Sequence, residues 1–300
     1  MNRSELVSGN SKSFVTATVC PRFKTRSRGA VRPVIADVGH MNMRDWNGKE
    51  IACARSKGGV LVLAHPLDNL ISTGCSPWPP PEILQKLYQS RQVRAFQGDQ
   101  LTICKSGVGY YCDLQSLHSE DAITWSVFGT AARAQRRLFQ VWLADLLKLL
   151  KISEASSEQP EIFLWRRIPH PDTLVSGGPE IDVGIITENA LIFCEAKWQS
   201  QVGTAQGKKK DKDQIQLRGE FLKKYGVKLY PQAAVLAVVG LSLFPNSFLN
   251  TAPGDVLFRS ATWEDVCSLP SHPYADEVRR YFQWKKKNTK LANKRVEPTR

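Results

Sequence analysis

The chain has 300 residues, 42% of them hydrophobic, and a formal net charge of +13. It is long enough to bury a sizeable core, and no apolar run reaches the eighteen or so residues of a membrane span, so a soluble, cytoplasmic protein with no membrane partner is expected. Residues 1–32 hold seven Lys/Arg against one acid and residues 285–300 hold seven against one, so twelve of the thirteen excess charges sit at the ends and bulk charge does not point to a basic cleft.

Residues 1–50 show little hydrophobic periodicity and are expected to form a flexible or irregular basic N-terminus. Residues 51–118 read as a small accessory region of unknown fold. Within it, Gly58–Pro66 suggests a short strand, Glu82–Arg94 a helix with Pro81 in its first turn, and Leu101–Tyr111 one or two strands. The seven cysteines, scattered and without a CxxC pair, argue against a zinc or disulfide framework and for a reducing compartment.

A clearer pattern starts at Ser119, which precedes Glu120 and Asp121 as a cap precedes acids at the positive end of a helix dipole. Helical spacing of apolar residues then continues to about Lys151, with a joint near Gly129. Ile162–Ile168 reads as a strand. Asp213–Tyr225 suits a helix ending at Gly226, and Gln232–Gly240 is apolar enough to be a strand buried on both faces. Val256–Arg259 suggests a further strand, Trp263–Cys267 a helical turn capped by Thr262, and Tyr274–Lys286 a last helix. Residues 119–284 thus form one α/β domain, and 285–300 a disordered basic tail.

Between the first strand and the second helix lies the stretch Pro179–Trp198. Two β-branched runs, Ile181–Thr187 and Ala190–Cys194, flank Glu188-Asn189, and a two-residue break of this kind signals a β-hairpin. The register follows. Thr187 faces Ala190, Ile186 faces Leu191, Asp182 lands opposite Glu195, and Glu180 lies opposite Lys197. Ile186, Leu191 and Phe193 share the face of these charges; Ile181, Val183, Ile185, Ile192, Cys194 and Ala196 fill the other. A sheet covered on both sides desolvates the charged patch, and opposed carboxylates there call for a cation.

This order of helix, three strands, helix and strand, with Pro179-Glu180-Ile181-Asp182 on one strand and Glu195-Ala196-Lys197 on the next, resembles the PD-(D/E)XK nuclease superfamily over residues 119 to about 240. The resemblance implies an α/β restriction-endonuclease-like αβββαβ core, a three-layer sandwich around a mixed sheet. It also implies a Mg²⁺-dependent nuclease acting on DNA, with Mn²⁺ as a substitute. RNA stays open as a substrate, as does a homodimer. By that likeness Asp182, Glu195 and the backbone carbonyl of Ala196 would hold the metal, and Lys197 would position the attacking water. Glu180 is the rival for the first acid because the proline stands three positions before Asp182. Two accessory roles follow from the same likeness, for Glu120 on the first helix and for Gln214, rather than Gln216, on the second. The run Lys208, Lys209, Lys210 is a candidate phosphate contact. The alternative is a catalytically inactive nucleic-acid-binding protein of the same fold.

Overall fold

Asn47-Gly48 turns the chain between its first two strands. Gly48 has φ +83°, a conformation that favours glycine, and Asp45 Oδ1 accepts from the backbone N–H of Asn47 and Lys49. The computed structural model describes residues 41–55, 59–72, 76–89, 112–152, 154–172, 177–199, 213–245 and 256–289, all within one compact unit, Asp37–Arg300. Strands β1 (Met41–Arg44), β2 (Glu50–Arg55) and β3 (Leu61–Leu63) pair antiparallel in that order. A strand at 41–44 departs from the expected irregular N-terminus. Being short and mostly exposed, it carries no hydrophobic alternation, and the Asn-Gly turn is its one sequence signal. Helix α1 (Pro81–Gln89) begins on its proline. The strands expected in Leu101–Tyr111 and the Lys208–Lys210 run lie outside the described residues.

Ser119 caps α2 (Glu120–Thr124), its hydroxyl accepting from the N–H of Ala122 at 3.1 Å. The helix expected from here is interrupted at the joint expected near Gly129. A π turn (Trp125–Gly129) and a short α3 (Thr130–Ala132) lead to a corner at 133–135, and α4 (Arg136–Leu149) starts afresh. Trp125 packs so closely over Gly129 that a Cβ there would overlap its ring. Apolar periodicity runs through both pieces, which hides the corner.

Five strands form the central sheet in the order β4 (Glu161–Arg167), β5 (Glu180–Ile186), β6 (Ala190–Ala196), β7 (Val235–Ser242) and β8 (Val256–Thr262). Pairing is antiparallel from β4 to β6 and parallel from β6 to β8, with α5 (Gln214–Leu229) crossing between β6 and β7. The chain closes with α6 (Trp263–Cys267), which Thr262 caps as expected, and α7 (Ala275–Asn288). Helices cover both faces, so this is a mixed sheet in a three-layer α/β arrangement. One face packs Val183, Ile185, Ile192 and Cys194 against Trp142, Trp263 and Tyr281; the other packs Leu191, Phe193, Leu236 and Val238 against Ile215 and Leu222 of α5. β6 and β7 are buried along their whole length, which accounts for their unbroken apolar character.

Two ends differ from expectation. α5 runs past Gly226, where the missing side chain admits Leu236: a Cβ would lie 2.7 Å from its Cδ1. The expected tail begins too early, because Lys285 and Thr289 are buried and both donate to the carbonyl of Leu117. The first sheet shares the main core, with Ile51, Cys53, Leu61 and Leu63 in the same cluster as Trp142 and Tyr281. Trp284 Nε1 also donates to Arg44 O at 2.8 Å. Among the described residues no helix is long and apolar enough to cross a membrane.

Candidate functional site

The hairpin has the register that its turn dictates. Thr187 N–H donates to Ala190 O, and the pairs run from Ile186 with Leu191 to Val183 with Cys194. The next position would set Asp182 against Glu195, but the β5–β6 ladder ends before it and the β4–β5 ladder is interrupted beside it. The β5–β6 ladder ends at Val183, while the β4–β5 ladder passes from Leu164 with Val183 to Arg166 with Ile181, skipping Trp165 opposite Asp182. Trp165 has φ +50°. A bulky residue in the left-handed region costs roughly 1–3 kcal/mol and persists only where its surroundings over-determine it. Its ring is buried with Leu70, Ile83, Leu87 and Trp125. The same disturbance moves Ile181, expected beside Val183, to the opposite cluster with Phe163, Leu191 and Phe193.

Asp182 uses the opening. Its Oδ2 accepts from the backbone N–H of Ala196 at 2.8 Å, in place of a strand carbonyl. Burial, followed by the charge of Glu195, pushes its pKa up to about 8, while the Ala196 N–H and Lys197 act in the other direction. Glu195 is buried. Its Oε1 accepts from Lys197 Nζ at 2.8 Å, but Oε2 has no hydrogen-bond donor. Arg218 Nη2 lies 3.5 Å from Oε2, an ion pair without hydrogen-bond geometry.

Lys197 also reaches Glu120 Oε2 at 3.5 Å. Burial lowers its pKa, but Glu195, Glu120 and Asp182 outweigh burial and the net direction is upward, so the group stays an ammonium at neutral pH. Its backbone is fixed at both ends: Lys197 N–H donates to Leu241 O at 2.7 Å, and Trp263 Nε1 donates to Lys197 O at 2.8 Å. Glu120 Oε1 accepts from Trp198 N–H at 3.1 Å. Glu120, the first residue of α2, therefore ties that helix to the end of the hairpin.

The other candidates sit differently. Glu180 faces Lys86 and Arg167 rather than Lys197, because the β5–β6 ladder has ended at Val183 while the β4–β5 register still sets Arg167 opposite Glu180. Gln216 is occupied in a capping box with Asp213. Gln214 is half-buried, one turn before Arg218 on the same helix face, and makes no hydrogen bond to the cluster among the described residues. Three participants were not anticipated. Arg218 bridges Glu195 and the Glu180 carbonyl, and Lys86 meets Asp121 and Glu180. Arg218 had a usable signal in its i+4 spacing from Gln214; Lys86 and Asp121 meet only through tertiary packing. No protein-family model, curated protein or solved structure matches the chain.

Among the described residues no three His, Cys, Asp or Glu side chains are grouped so as to hold a metal ion. What the hairpin offers is two carboxyls, Asp182 tied to the Ala196 amide and Glu195 tied to Lys197. That donor set suits a hard cation, which takes oxygen ligands and keeps several waters. The buried Glu195 Oε2 without a donor and the Asp182 carboxyl made basic by burial are the features that a cation would relieve.

Proposed function

We propose that this chain is a metal-dependent phosphodiester hydrolase acting on DNA, a nuclease of the PD-(D/E)XK type with a restriction-endonuclease-like core. The observation that carries the reading is the break in both ladders at Asp182, opposite a buried Glu195 whose Oε2 lacks a donor. Asp182, Glu195 and the Ala196 carbonyl are the groups that would hold Mg²⁺ or Mn²⁺. When bound, the ion supplies Lewis acidity and neutralises charge at the phosphate. Lys197, held as an ammonium by Glu195 and Glu120, donates hydrogen bonds to the attacking water and to the charge that develops on the phosphate oxygens. It orients and does not serve as the base. Glu120 is a positioning residue: it holds the Trp198 amide and one side of the Lys197 ammonium.

The alternative, a nucleic-acid-binding protein without catalysis, draws on one specific feature. Lys197 and Arg218 already surround Glu195, so the cluster is partly neutralised from within. One set of measurements separates the two. Under the nuclease reading, the wild type cleaves a DNA panel with Mn²⁺, Asp182→Ala and Glu195→Ala lose both cleavage and Mn²⁺ binding, and Lys197→Met loses about 100-fold or more of the rate while keeping the ion. DNA binding with neither cleavage nor Asp182-dependent Mn²⁺ binding supports the alternative.

A further inference from the structure

We infer that Arg218, on helix α5, is the residue that binds a phosphate of the substrate: the Glu180 carbonyl fixes its guanidinium beside Glu195, and donors remain for a phosphodiester oxygen. The inference rests on the nucleic-acid reading above, which the nuclease and its alternative share, and names the side chain that grips the polyanion.

The segment 178–180, which leads into β5, offers three successive carbonyls, and each has a donor. Arg167 Nη1 donates to Gly178 O at 3.0 Å, Ile168 N–H to Pro179 O at 2.9 Å, and Arg218 Nη2 to Glu180 O at 2.8 Å. Two guanidiniums are therefore fastened to one short stretch of backbone. They differ in what is left over. Arg167 also meets Glu180 Oε2 at 3.5 Å and is 58% exposed, as a surface arginine is. Arg218 stands at the margin of the face on which α5 buries Ile215, Gly219 and Leu222. It makes no second hydrogen bond among the described residues, its Nε is buried without an acceptor, and 15% of its side chain is exposed.

A role as counter-ion to Glu195 does not account for this arrangement. A buried guanidinium–carboxylate pair closes through short, aligned hydrogen bonds, often two in parallel. Here Nη2 stops 3.5 Å from Glu195 Oε2 without hydrogen-bond geometry, so Oε2 keeps no donor and Nε no acceptor. Buried polar groups are nearly always paired, and an unpaired donor on a fixed arginine points to an acceptor that arrives from outside. A phosphodiester supplies it. The guanidinium presents five N–H donors in a planar fork that matches two phosphate oxygens at once. Lys197 holds the other oxygen of Glu195, so the two cations divide the work: the ammonium acts at the water and the guanidinium holds the phosphate.

The test is fluorescence anisotropy of a labelled DNA oligonucleotide with the full-length chain, in EDTA and over a range of KCl, for wild type, Arg218→Met, Arg218→Gln and Arg218→Lys. Urea unfolding shows that each is folded. Protein groups alone fix the guanidinium, so no metal ion is required. Arg218→Met and Arg218→Gln should bind about tenfold more weakly, with the slope of log K against log salt reduced by about 1. Arg218→Lys should keep the slope and recover only part of the affinity, since an ammonium lacks the fork. Unchanged affinity in the folded Met and Gln variants overturns the inference and leaves the nucleic-acid reading intact. Weaker binding with an unchanged slope does the same, because it marks a purely structural role. No binding by the wild type in EDTA overturns the inference, and the nucleic-acid reading with it if Mn²⁺ does not restore binding. Should no variant fold, the Nε–Hε resonance of Arg218 in the wild type decides: a shift on adding DNA supports the inference, and no shift overturns it.

Discussion

Lys285 is a lysine with no exposed surface, whose ammonium donates to the Leu117 carbonyl at 2.8 Å and lies 5.1 Å from the centre of the Trp198 ring. Burial pulls its pKa down to about 7, with Glu120 opposing. The folded state therefore releases a proton that the unfolded chain keeps up to about pH 10.5. Between those values the unfolded state binds more protons, so stability rises with pH; below about 7 the cost of burying the charge is at its full value. Lys285→Met should accordingly be more stable than the wild type at pH 7, and its advantage should shrink by about 2 kcal/mol on going to pH 9. The Leu117 carbonyl keeps its second donor, Thr289 Oγ1 at 3.2 Å, so the substitution leaves no buried acceptor unpaired. Urea unfolding of both proteins at the two pH values measures this, and a stability difference independent of pH would contradict it.

The central hairpin was readable from sequence because a two-residue turn fixes register and alternation fixes the face, so the pairs from Ile186 with Leu191 to Val183 with Cys194 followed from counting. Its deformation was not readable. It depends on Trp165 turning into a pocket made by Leu70, Ile83, Leu87 and Trp125, residues drawn from three separate stretches of chain. The corner between α3 and α4 was hidden for a similar reason, since both pieces bury the same stripe. Gly184 shows what the strand itself requires. The Phe163 ring crosses directly over it, so close that an added Cβ would overlap the ring atoms. Gly184→Ala should cost about 1–3 kcal/mol by overpacking, and the double variant Gly184→Ala with Phe163→Leu should recover part of that loss. A double-mutant cycle in urea gives the coupling; additive losses would mean that the ring is not what the glycine accommodates.

For the whole molecule, the consequence is that the site cannot be separated from the chain that precedes it. Sequence patterns suggested a boundary at residue 118, yet the first sheet and the last helix close on each other: Trp46 meets Tyr281 edge-on at 4.9 Å and Trp284 donates to Arg44 O. Tyr281 in turn donates to the Asn69 carbonyl, and the Asn69 amide donates to the carbonyls of Leu114 and Ser116 just before the α2 cap. α7 then reaches the site through Thr289, which accepts from Trp198 Nε1 at 3.1 Å. Removing residues 1–118 would strip Ile51, Cys53, Leu61, Leu63, Ile71 and Leu117 from the main core and leave the buried Tyr281 and Lys285 without their acceptors. Buried polar groups left unpaired cost about 1–3 kcal/mol each, on top of the exposed apolar surface, and typical domains have only about 5–15 kcal/mol in total. A fragment of residues 119–300 should therefore retain helical circular dichroism, bind a hydrophobic dye and melt without a cooperative transition. Cooperative melting of that fragment near the midpoint of the full chain would show that the first sheet is dispensable to the core.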